Sequence, residues 1–293
     1  NYEIEENFDV LKLIFISLKK TSLFSIFPMI LEIIGISFLI FIVFGLLFFY
    51  FFQEKFIFLN GKKLERNDPF NFSNTFEEIF LKTKDNQEIN AIHLKANNPK
   101  GVVLFFHGNK GNLSKWGERT AYFLNYNYDV FVIDYRNYGK SSGGFNEVAM
   151  YKDAGLAYSY IQKKFKEEHI VVYGYSLGCT FATRVASENH PKELILEAPF
   201  FNLKRATQNF VPFAPTFLLK YRFRSNKYFP KVKVPITIFH GQEDATTLFD
   251  QSKELFGLHT SEKNEFVAIK NGTHHNIRTF EVYKQKLKAI LER

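Results

Sequence analysis

A serine flanked by glycines lies between a strand-like and a helix-like stretch of the sequence. The motif, GYSLG, covers residues 174–178; it follows the β-branched run 170–173 and precedes a helix-like stretch at 179–186. Glycines two residues before and after the serine let neighbouring backbone pass without Cβ clashes. Strand, G-x-S-x-G and helix in this order are the context of a nucleophile elbow. The spacing therefore predicts that Ser176 is a nucleophile on a tight turn, facing the positive end of the following helix.

A serine hydroxyl is a poor nucleophile unless an imidazole takes its proton and a carboxylate orients that imidazole. In a parallel sheet such groups gather at the carboxyl ends of strands. Asp244 comes shortly after the apolar run 236–239, and His274 follows the run 266–269 and a short turn. The order Ser, Asp, His is one in which such triads occur. We therefore predict a catalytic triad of Ser176, Asp244 and His274.

Other residues near these positions remain as alternatives. Glu243, Asp250 and the more distant Glu197 are alternative carboxylates, and His275 is the alternative base. His107 lies too early in the chain for this order, so we interpret it as a structural histidine. Two adjacent histidines suggest metal binding, but adjacent side chains point apart and no HExxH motif or Cys/His cluster accompanies them. We expect neither a metal nor a cofactor.

The negatively charged intermediate of acyl transfer needs two backbone N–H donors. Leu177 directly follows the nucleophile, and Asn109 lies in the glycine-containing loop 107–112 after the first parallel strand. We predict that these two residues form the oxyanion hole. Asp134 and Arg136 follow another strand and are interpreted as loop-holding scaffold. Cys179, the single cysteine, excludes an internal disulfide and is interpreted as a packed side chain.

The stretches that position these residues alternate in type. Two strands at 76–81 and 88–94 flank a turn and predict a hairpin. Predicted strands then cover 102–106, 130–133, 170–173, 194–196, 236–239 and 266–269, and predicted helices cover 113–126, 147–165 and 278–291. This alternation predicts an α/β domain at 76–293, with a mostly parallel sheet and helices on both faces. Residues 200–235 are too long for a simple loop and predict a small helical lid.

A run of twenty residues, 33–52, carries no charge. About 20 apolar residues cross the ~30 Å of hydrocarbon in a bilayer, and the bulky aromatic end of this run is unlike a signal-peptide cleavage site. We predict a membrane anchor at 1–52, with its spanning helix at 33–52, and a linker at 53–75. Residues 10–18 either lie along the membrane surface or pack on the next segment. More basic residues follow the span than precede it, which favours a single-pass protein with a cytoplasmic catalytic domain.

The 293-residue chain has a formal net charge of +8. Such a charge favours solubility and attraction to anionic surfaces. The sequence has no zinc-finger, RNA-binding or basic-helix pattern, so we expect no nucleic-acid partner.

Five motifs occur in a familiar order: HGNKGN at 107–112, DYRNYGKS at 134–141, GYSLG at 174–178, HGQED at 240–244 and GTH at 272–274. Together they resemble the membrane-anchored α/β-hydrolases related to protein depalmitoylases and lysophospholipid lipases, a group also described as serine aminopeptidase-like hydrolases. The resemblance runs from about residue 53 to the end. It implies an α/β-hydrolase fold, the triad named above and the same two oxyanion donors. The chain departs from the family at Asn137, where glycine is frequent, and at 245–248, where a proline often follows the acid.

The predicted lid is rich in phenylalanine and in lysine and arginine. One hypothesis is an acyl-chain pocket beside a basic rim that faces anionic headgroups; the alternative is a packed lid with a solvated basic face. The resulting prediction is a serine hydrolase that cleaves carboxylic esters or thioesters of lipid or acylated substrates through an acyl-enzyme, beside the bilayer and without an obligate protein partner. The alternatives are a serine peptidase with the same machinery and a non-catalytic membrane scaffold.

Overall fold

The computed structural model describes residues 2–293, and within them the side chains of 10–17 and 26–293. Its first element is one long helix, α1 (Tyr2–Ile57), with Pro28 inside it. Within α1, Ile26–Ile57 is long and apolar enough to cross a membrane, a criterion that a signal sequence near an N-terminus also meets. Most of the apolar side chains of this segment, such as Phe41, are exposed.

The helix extends beyond the predicted span 33–52 in both directions, continuing through Pro28 on one side and through the polar residues 53–55 to Ile57 on the other. Residues 10–17 belong to this same helix, so they do not fold back on the next segment; the side chain of Leu18 lies outside the described residues. The chain divides into two compact units between Gln53 and Glu54. In the second unit, the segment predicted as a linker places two aromatic side chains, Phe58 and Phe70, in buried positions.

The second unit is built on one eight-stranded sheet. Its strands are β1 (Phe76–Lys82), β2 (Glu88–Leu94), β3 (Gly101–Phe106), β4 (Tyr128–Ile133), β5 (Ile170–Tyr175), β6 (Glu193–Glu197), β7 (Ile236–Gly241) and β8 (Glu265–Ile269). Their order across the sheet is β1-β2-β4-β3-β5-β6-β7-β8. The β1–β2 and β2–β4 pairs are antiparallel, and all later pairs are parallel. The predicted mostly parallel sheet is confirmed.

Helices cover both faces of this sheet. They are α2 (Leu113–Thr120), α3 (Glu147–Gln162), α4 (Gly178–Glu188), α5 (Leu203–Phe210), α6 (Ser225–Tyr228), α7 (Phe249–Gly257) and α8 (Glu281–Glu292). Successive side chains of a strand point to opposite faces, and β3 follows this rule. Leu104 joins a core cluster with Phe181 of α4, whereas Phe105 joins a second cluster with Trp116 of α2 and Leu287 of α8. The sheet therefore lies between two apolar layers, which exclude water from both faces.

Three predicted helices are shorter in the structure than in the sequence interpretation. The helix predicted at 147–165 ends at Gln162. The stretch 113–126 is α2 followed by a 3-10 turn, Ala121–Tyr126, which stops at Asn127 in a left-handed conformation. The last helix, predicted to begin at 278, is preceded by a separate 3-10 turn and begins at Glu281, because Phe280 is extended.

The segment 200–235 between β6 and β7 is a set of short helical pieces, and we call it the lid. It contains α5, α6 and two 3-10 turns, Thr216–Leu218 and Phe229–Lys231.

Candidate active site

Ser176 stands between the end of β5 at Tyr175 and the start of α4 at Gly178. Its φ is 52°, in the left-handed region that costs energy for a residue with a Cβ. Its backbone N–H donates to the carbonyl of Glu197 at 2.9 Å, which ties the turn to the end of β6. A Cβ at Gly178 would collide with the carbonyl oxygen of Phe106, so only glycine fits where α4 meets β3. These constraints describe a strained strand-to-helix turn that presents the serine hydroxyl at the carboxyl edge of the sheet.

The structure brings three of the predicted site residues into one hydrogen-bonded chain. Nε2 of His274 lies 3.0 Å from Oγ of Ser176, and Nδ1 of His274 lies 2.7 Å from Oδ2 of Asp244. The serine, the imidazole and the carboxylate are all buried. Asp244 follows β7 and His274 follows β8, so the two loops meet because their strands are parallel neighbours. This geometry suits proton transfer from the hydroxyl to the imidazole.

The carboxylate of Asp244 is held by its own loop as well as by His274. Its Oδ1 accepts the backbone N–H groups of Thr246 and Thr247, both at 2.8 Å. Burial alone would raise the pKa of Asp244, but hydrogen bonds from His240 and His274 outweigh it and hold this pKa well below its usual range. The carboxylate is therefore ionised when it contacts the imidazole.

Thr247 and His240 are two contributors that the sequence interpretation missed. Oγ1 of Thr247 lies 2.9 Å from Oδ2 of Asp244, and Nε2 of His240 lies 3.3 Å from the same oxygen. A threonine three residues after an aspartate was an available signal, because an aspartate side chain commonly accepts backbone N–H groups two and three residues on. Residues 245–248 are where the chain lacks the proline that often follows the acid in the family it resembles. In this chain, hydrogen bonds between Asp244 and residues 246–247 fix the conformation of the loop.

The alternative acids and base have other partners. Nδ1 of His275 shares a hydrogen bond with the Tyr175 hydroxyl at 3.0 Å. Burial and the charge of neighbouring His274 lower the pKa of His275. The carboxylate of Glu197 pairs with Arg278 at 2.7 Å. Among the described residues, no hydrogen bond joins Glu243, Asp250 or Glu197 to the imidazole of His274.

The loop 107–112 lies beside the nucleophile. A Cβ built on Gly108 would lie 3.7 Å from Cβ of Ser176. Within the described part of the chain, the backbone N–H groups of Asn109 and Leu177 donate no hydrogen bond. The side-chain amide of Asn109 instead donates to the carbonyl of Ile57 at 2.9 Å, and the carbonyl of Asn109 accepts from the Tyr138 hydroxyl at 2.7 Å. Both backbone donors are therefore available near Ser176.

Asp134 and His107 form a buried pair behind this loop. Nε2 of His107 lies 3.2 Å from Oδ1 of Asp134, whose other oxygen accepts the N–H of Leu113 at 3.1 Å. Burial raises the pKa of Asp134 despite these hydrogen bonds. The neighbouring Arg136 pairs with Asp85 and Asp153. The pair and the ion cluster hold loops together and do not contact Ser176.

Cys179 is buried on α4, and its thiol lies 3.1 Å from the carbonyl of Gly174. Burial raises its pKa well above the usual value. A protonated, buried thiol is a packing group, because the thiolate is the nucleophilic form of cysteine. Among the described residues, no group of three or more His, Cys, Asp or Glu side chains has the arrangement of a metal site.

Residues 97–230 match a family model described as serine aminopeptidase, S33. The protein bem46 of Schizosaccharomyces pombe is 28% identical over 80% of this chain and 82% of its own length. The lysophosphatidylserine lipase ABHD12 of Danio rerio is 27% identical over 56% of this chain, which spans about half of that relative. Among solved structures, the esterase Pf2001 of Pyrococcus furiosus superposes with a TM-score of 0.65 at 20% identity, covering 80% of this chain and 98% of the esterase.

The solved structure and the sheet order agree on one architecture, and one of the relatives by sequence, ABHD12, is named as a lipase. The chain has the α/β-hydrolase fold, and residues 97–230 resemble the serine aminopeptidase S33 family.

Proposed function

We propose that this chain is a serine hydrolase that cleaves carboxylic ester or thioester bonds through an acyl-enzyme on Ser176. The observation that carries the proposal is the chain of contacts from Ser176 through His274 to Asp244, at 3.0 and 2.7 Å. His274 lies 98 residues from Ser176 and 30 residues from Asp244 in sequence, and its imidazole contacts both side chains. Acyl transfer requires an imidazole placed between the nucleophile and the carboxylate in this way.

In the proposed reaction, His274 takes the proton from Ser176 as the hydroxyl oxygen attacks the substrate carbonyl. The ionised Asp244 fixes the orientation of the imidazole and stabilises its charged form. The oxyanion accepts hydrogen bonds from the backbone N–H groups of Asn109 and Leu177. His274 then protonates the leaving alcohol or thiol, and a water molecule releases the acyl group by the same steps in reverse.

We infer that the substrates are lipids or acylated molecules at a membrane. The apolar segment Ile26–Ile57 supports a single-pass membrane anchor, with residues 76–293 as the catalytic domain and the shorter segment 53–75 as its connection. The excess of basic residues after the span favours a cytoplasmic domain. A relative named as a lysophosphatidylserine lipase supports an ester of this chemical class.

A peptidase is the second candidate, because the matching family model is described as serine aminopeptidase. A peptidase would use the same residues and would cleave an aminoacyl amide faster than any ester. The backbone N–H groups of Asn109 and Leu177, which donate no hydrogen bond among the described residues, count against a non-catalytic scaffold, because a purely structural turn does not need free donors.

The test is covalent labelling of the full chain by a fluorophosphonate probe, followed by hydrolysis assays. The wild-type chain should be labelled and Ser176→Ala should not, while Ser114→Ala, which changes an exposed serine of α2, should be labelled like the wild type. Acyl esters and thioesters of increasing chain length, compared with an aminoacyl amide, then separate a lipid hydrolase from a peptidase. An unlabelled wild-type chain would favour the scaffold.

A further inference from the structure

The lid carries an unusual share of the charge of this protein. Residues 200–235 contain eight lysines and arginines and no aspartate or glutamate. The whole chain has a formal net charge of +8, so the remaining residues are balanced between acids and bases. Because long-range electrostatic attraction follows the excess charge, the lid is the part of the chain that attracts an anionic partner.

Most of this charge is left unneutralised by the protein. Arg205 pairs with Glu254, and Lys220 lies 3.7 Å from Glu54. Six further basic residues have no carboxylate within 4.0 Å in the described part of the chain: Lys204, Arg222, Arg224, Lys227, Lys231 and Lys233. All six are exposed, so their cations are free to meet anions in solution or on a surface.

The phenylalanines of the lid fall into two groups. Phe200, Phe201, Phe223 and Phe229 are buried and hold the lid on the domain. Phe210, Phe213 and Phe217 are 63%, 97% and 72% exposed, and Val211 beside them is 54% exposed. We call residues 210–217 the lid tip. An apolar cluster exposed to water and flanked by cations is typical of a surface that meets another phase or partner.

We propose that the lid tip and the basic residues that follow it form a contact surface for an anionic membrane. The three phenylalanines enter the boundary between headgroups and acyl chains, and Arg222, Arg224 and Lys227 meet the anionic headgroups. The positive charge of the lid favours binding to an anionic surface. The exposed aromatic rings favour a lipid membrane over an acidic protein as that surface. The inference rests on the membrane association proposed above, and it is independent of catalysis.

The surface would hold the lid against the bilayer from which an acylated substrate comes. The lid reaches the acid loop of the site, since the side-chain amide of Asn209 lies 3.4 Å from the carbonyl oxygens of Ala245 and Thr246. The lid tip therefore follows directly on a residue that contacts the loop of Asp244.

The test places a fluorescent reporter at the lid tip. The chain has one tryptophan, Trp116, which is buried and common to every variant. Phe213→Trp is compared with Val148→Trp, a substitution at an exposed position of α3 outside the lid. Both full chains are reconstituted in nanodiscs that contain phosphatidylserine and brominated phosphatidylcholine, whose bromines quench a tryptophan near the acyl chains. We expect quenching of Phe213→Trp and little change for Val148→Trp.

The charge requirement is tested in the Phe213→Trp chain. Arg222→Gln with Arg224→Gln should reduce the quenching, whereas Lys166→Gln with Lys288→Gln, an equal charge change at exposed lysines elsewhere, should not. Nanodiscs without phosphatidylserine should also give less quenching.

Equal quenching at positions 213 and 148, or no quenching at 213, overturns the proposal. Quenching that changes neither with the arginine substitutions nor with removal of the anionic lipid also overturns it. None of these readouts depends on Ser176, so fluorophosphonate labelling still judges the proposed function separately.

Discussion

The side-chain amide of Asn109 donates a hydrogen bond to the carbonyl of Ile57, 2.9 Å away and 52 residues earlier in the chain. Ile57 is the last residue of α1, and the residues after it continue the attachment. The N–H of Leu59 donates to the carbonyl of Asn109 at 2.9 Å, and the N–H of Gly111 donates to the carbonyl of Leu59 at 3.0 Å. Residues 57–59 therefore brace the loop from which we propose that one oxyanion donor comes.

Leu59→Pro removes one of these braces. Proline has no backbone N–H, so the carbonyl of Asn109 loses its partner at position 59, and the N–H of Asn109 shifts relative to Ser176. A displacement of about 1 Å in a catalytic group costs up to roughly 100-fold in rate. We expect kcat for an activated ester to fall about 10-fold to 100-fold with KM nearly unchanged, as measured by steady-state kinetics on the full chain in detergent.

Two control variants separate the loss of this hydrogen bond from two other effects of the substitution. One effect is the loss of the leucine side chain, and the other is the general effect of a proline in this segment. Leu59→Ala keeps the N–H and removes an exposed side chain, so it should retain the wild-type kcat. Lys63→Pro introduces proline at an exposed position of the same segment, where the N–H donates no hydrogen bond among the described residues. A kcat for Leu59→Pro equal to that of Lys63→Pro would contradict the bracing role.

The adjacent histidines provide a second prediction. His274 contacts Ser176 and Asp244, whereas His275 is turned to the Tyr175 hydroxyl. His274→Gln should lower kcat by roughly 10⁴-fold to 10⁶-fold, because the proposed reaction would lose its base and its acid together. His275→Gln should retain activity within a few-fold, because glutamine can still hydrogen-bond to the tyrosine. Ester hydrolysis by the two variants distinguishes them, and the reverse ranking would assign the base to His275.

Asp244→Asn is expected to separate catalysis from folding. The amide cannot orient the imidazole in the reactive tautomer, so kcat should fall by about 10⁴-fold. The measurement is hydrolysis of an activated ester near neutral pH, with circular dichroism of the variant to check the fold.

The same substitution changes how stability depends on pH. The folded-state pKa of Asp244 lies below its unfolded value of about 3.9. Ionised Asp244 therefore stabilises the fold fully above that unfolded pKa, and this contribution is lost as the pH falls through the folded pKa. In denaturant titrations followed by Trp116 fluorescence, the wild type should lose more unfolding free energy below about pH 4 than Asp244→Asn does. Parallel pH profiles for the two chains would show that the carboxylate is not specially stabilised.

Much of this arrangement could be predicted from local patterns. The apolar runs before Ser176, Asp244 and His274 mark three strands, and parallel strands place the residues after them at one edge of the sheet. The sheet order confirms that β7 and β8 are neighbours. Sequence spacing alone thus indicated which side chains would lie near one another.

Contacts made through the backbone could not be predicted in this way. The hydrogen bond from the side chain of Asn109 to the carbonyl of Ile57 joins a loop to a helix end, and the residue types in the two segments do not predict it. The division of the lid phenylalanines into buried and exposed groups is also set by tertiary packing, since Phe223 is buried although arginines flank it in sequence, whereas Phe213 is exposed between a proline and an alanine. The exact ends of α1 depend on how far helical hydrogen bonding continues past the apolar run, which composition predicts only within several residues.

The last prediction concerns two glycines with opposite surroundings. A Cβ at Gly178 would meet the carbonyl oxygens of Phe106 and His107, the second at 2.7 Å, and backbone atoms cannot move aside without displacing the turn that carries Ser176. Gly178→Ala should therefore lower the free energy of unfolding by about 2–4 kcal/mol and reduce fluorophosphonate labelling.

A Cβ at Gly155, inside α3, meets nothing within 4 Å. Gly155→Ala should raise the free energy of unfolding by up to about 1 kcal/mol, because alanine has the higher helix propensity. Denaturant titration of both variants, followed by Trp116 fluorescence, should give shifts of opposite sign; a neutral Gly178→Ala would mean that α4 does not pack on the end of β3 as closely as described.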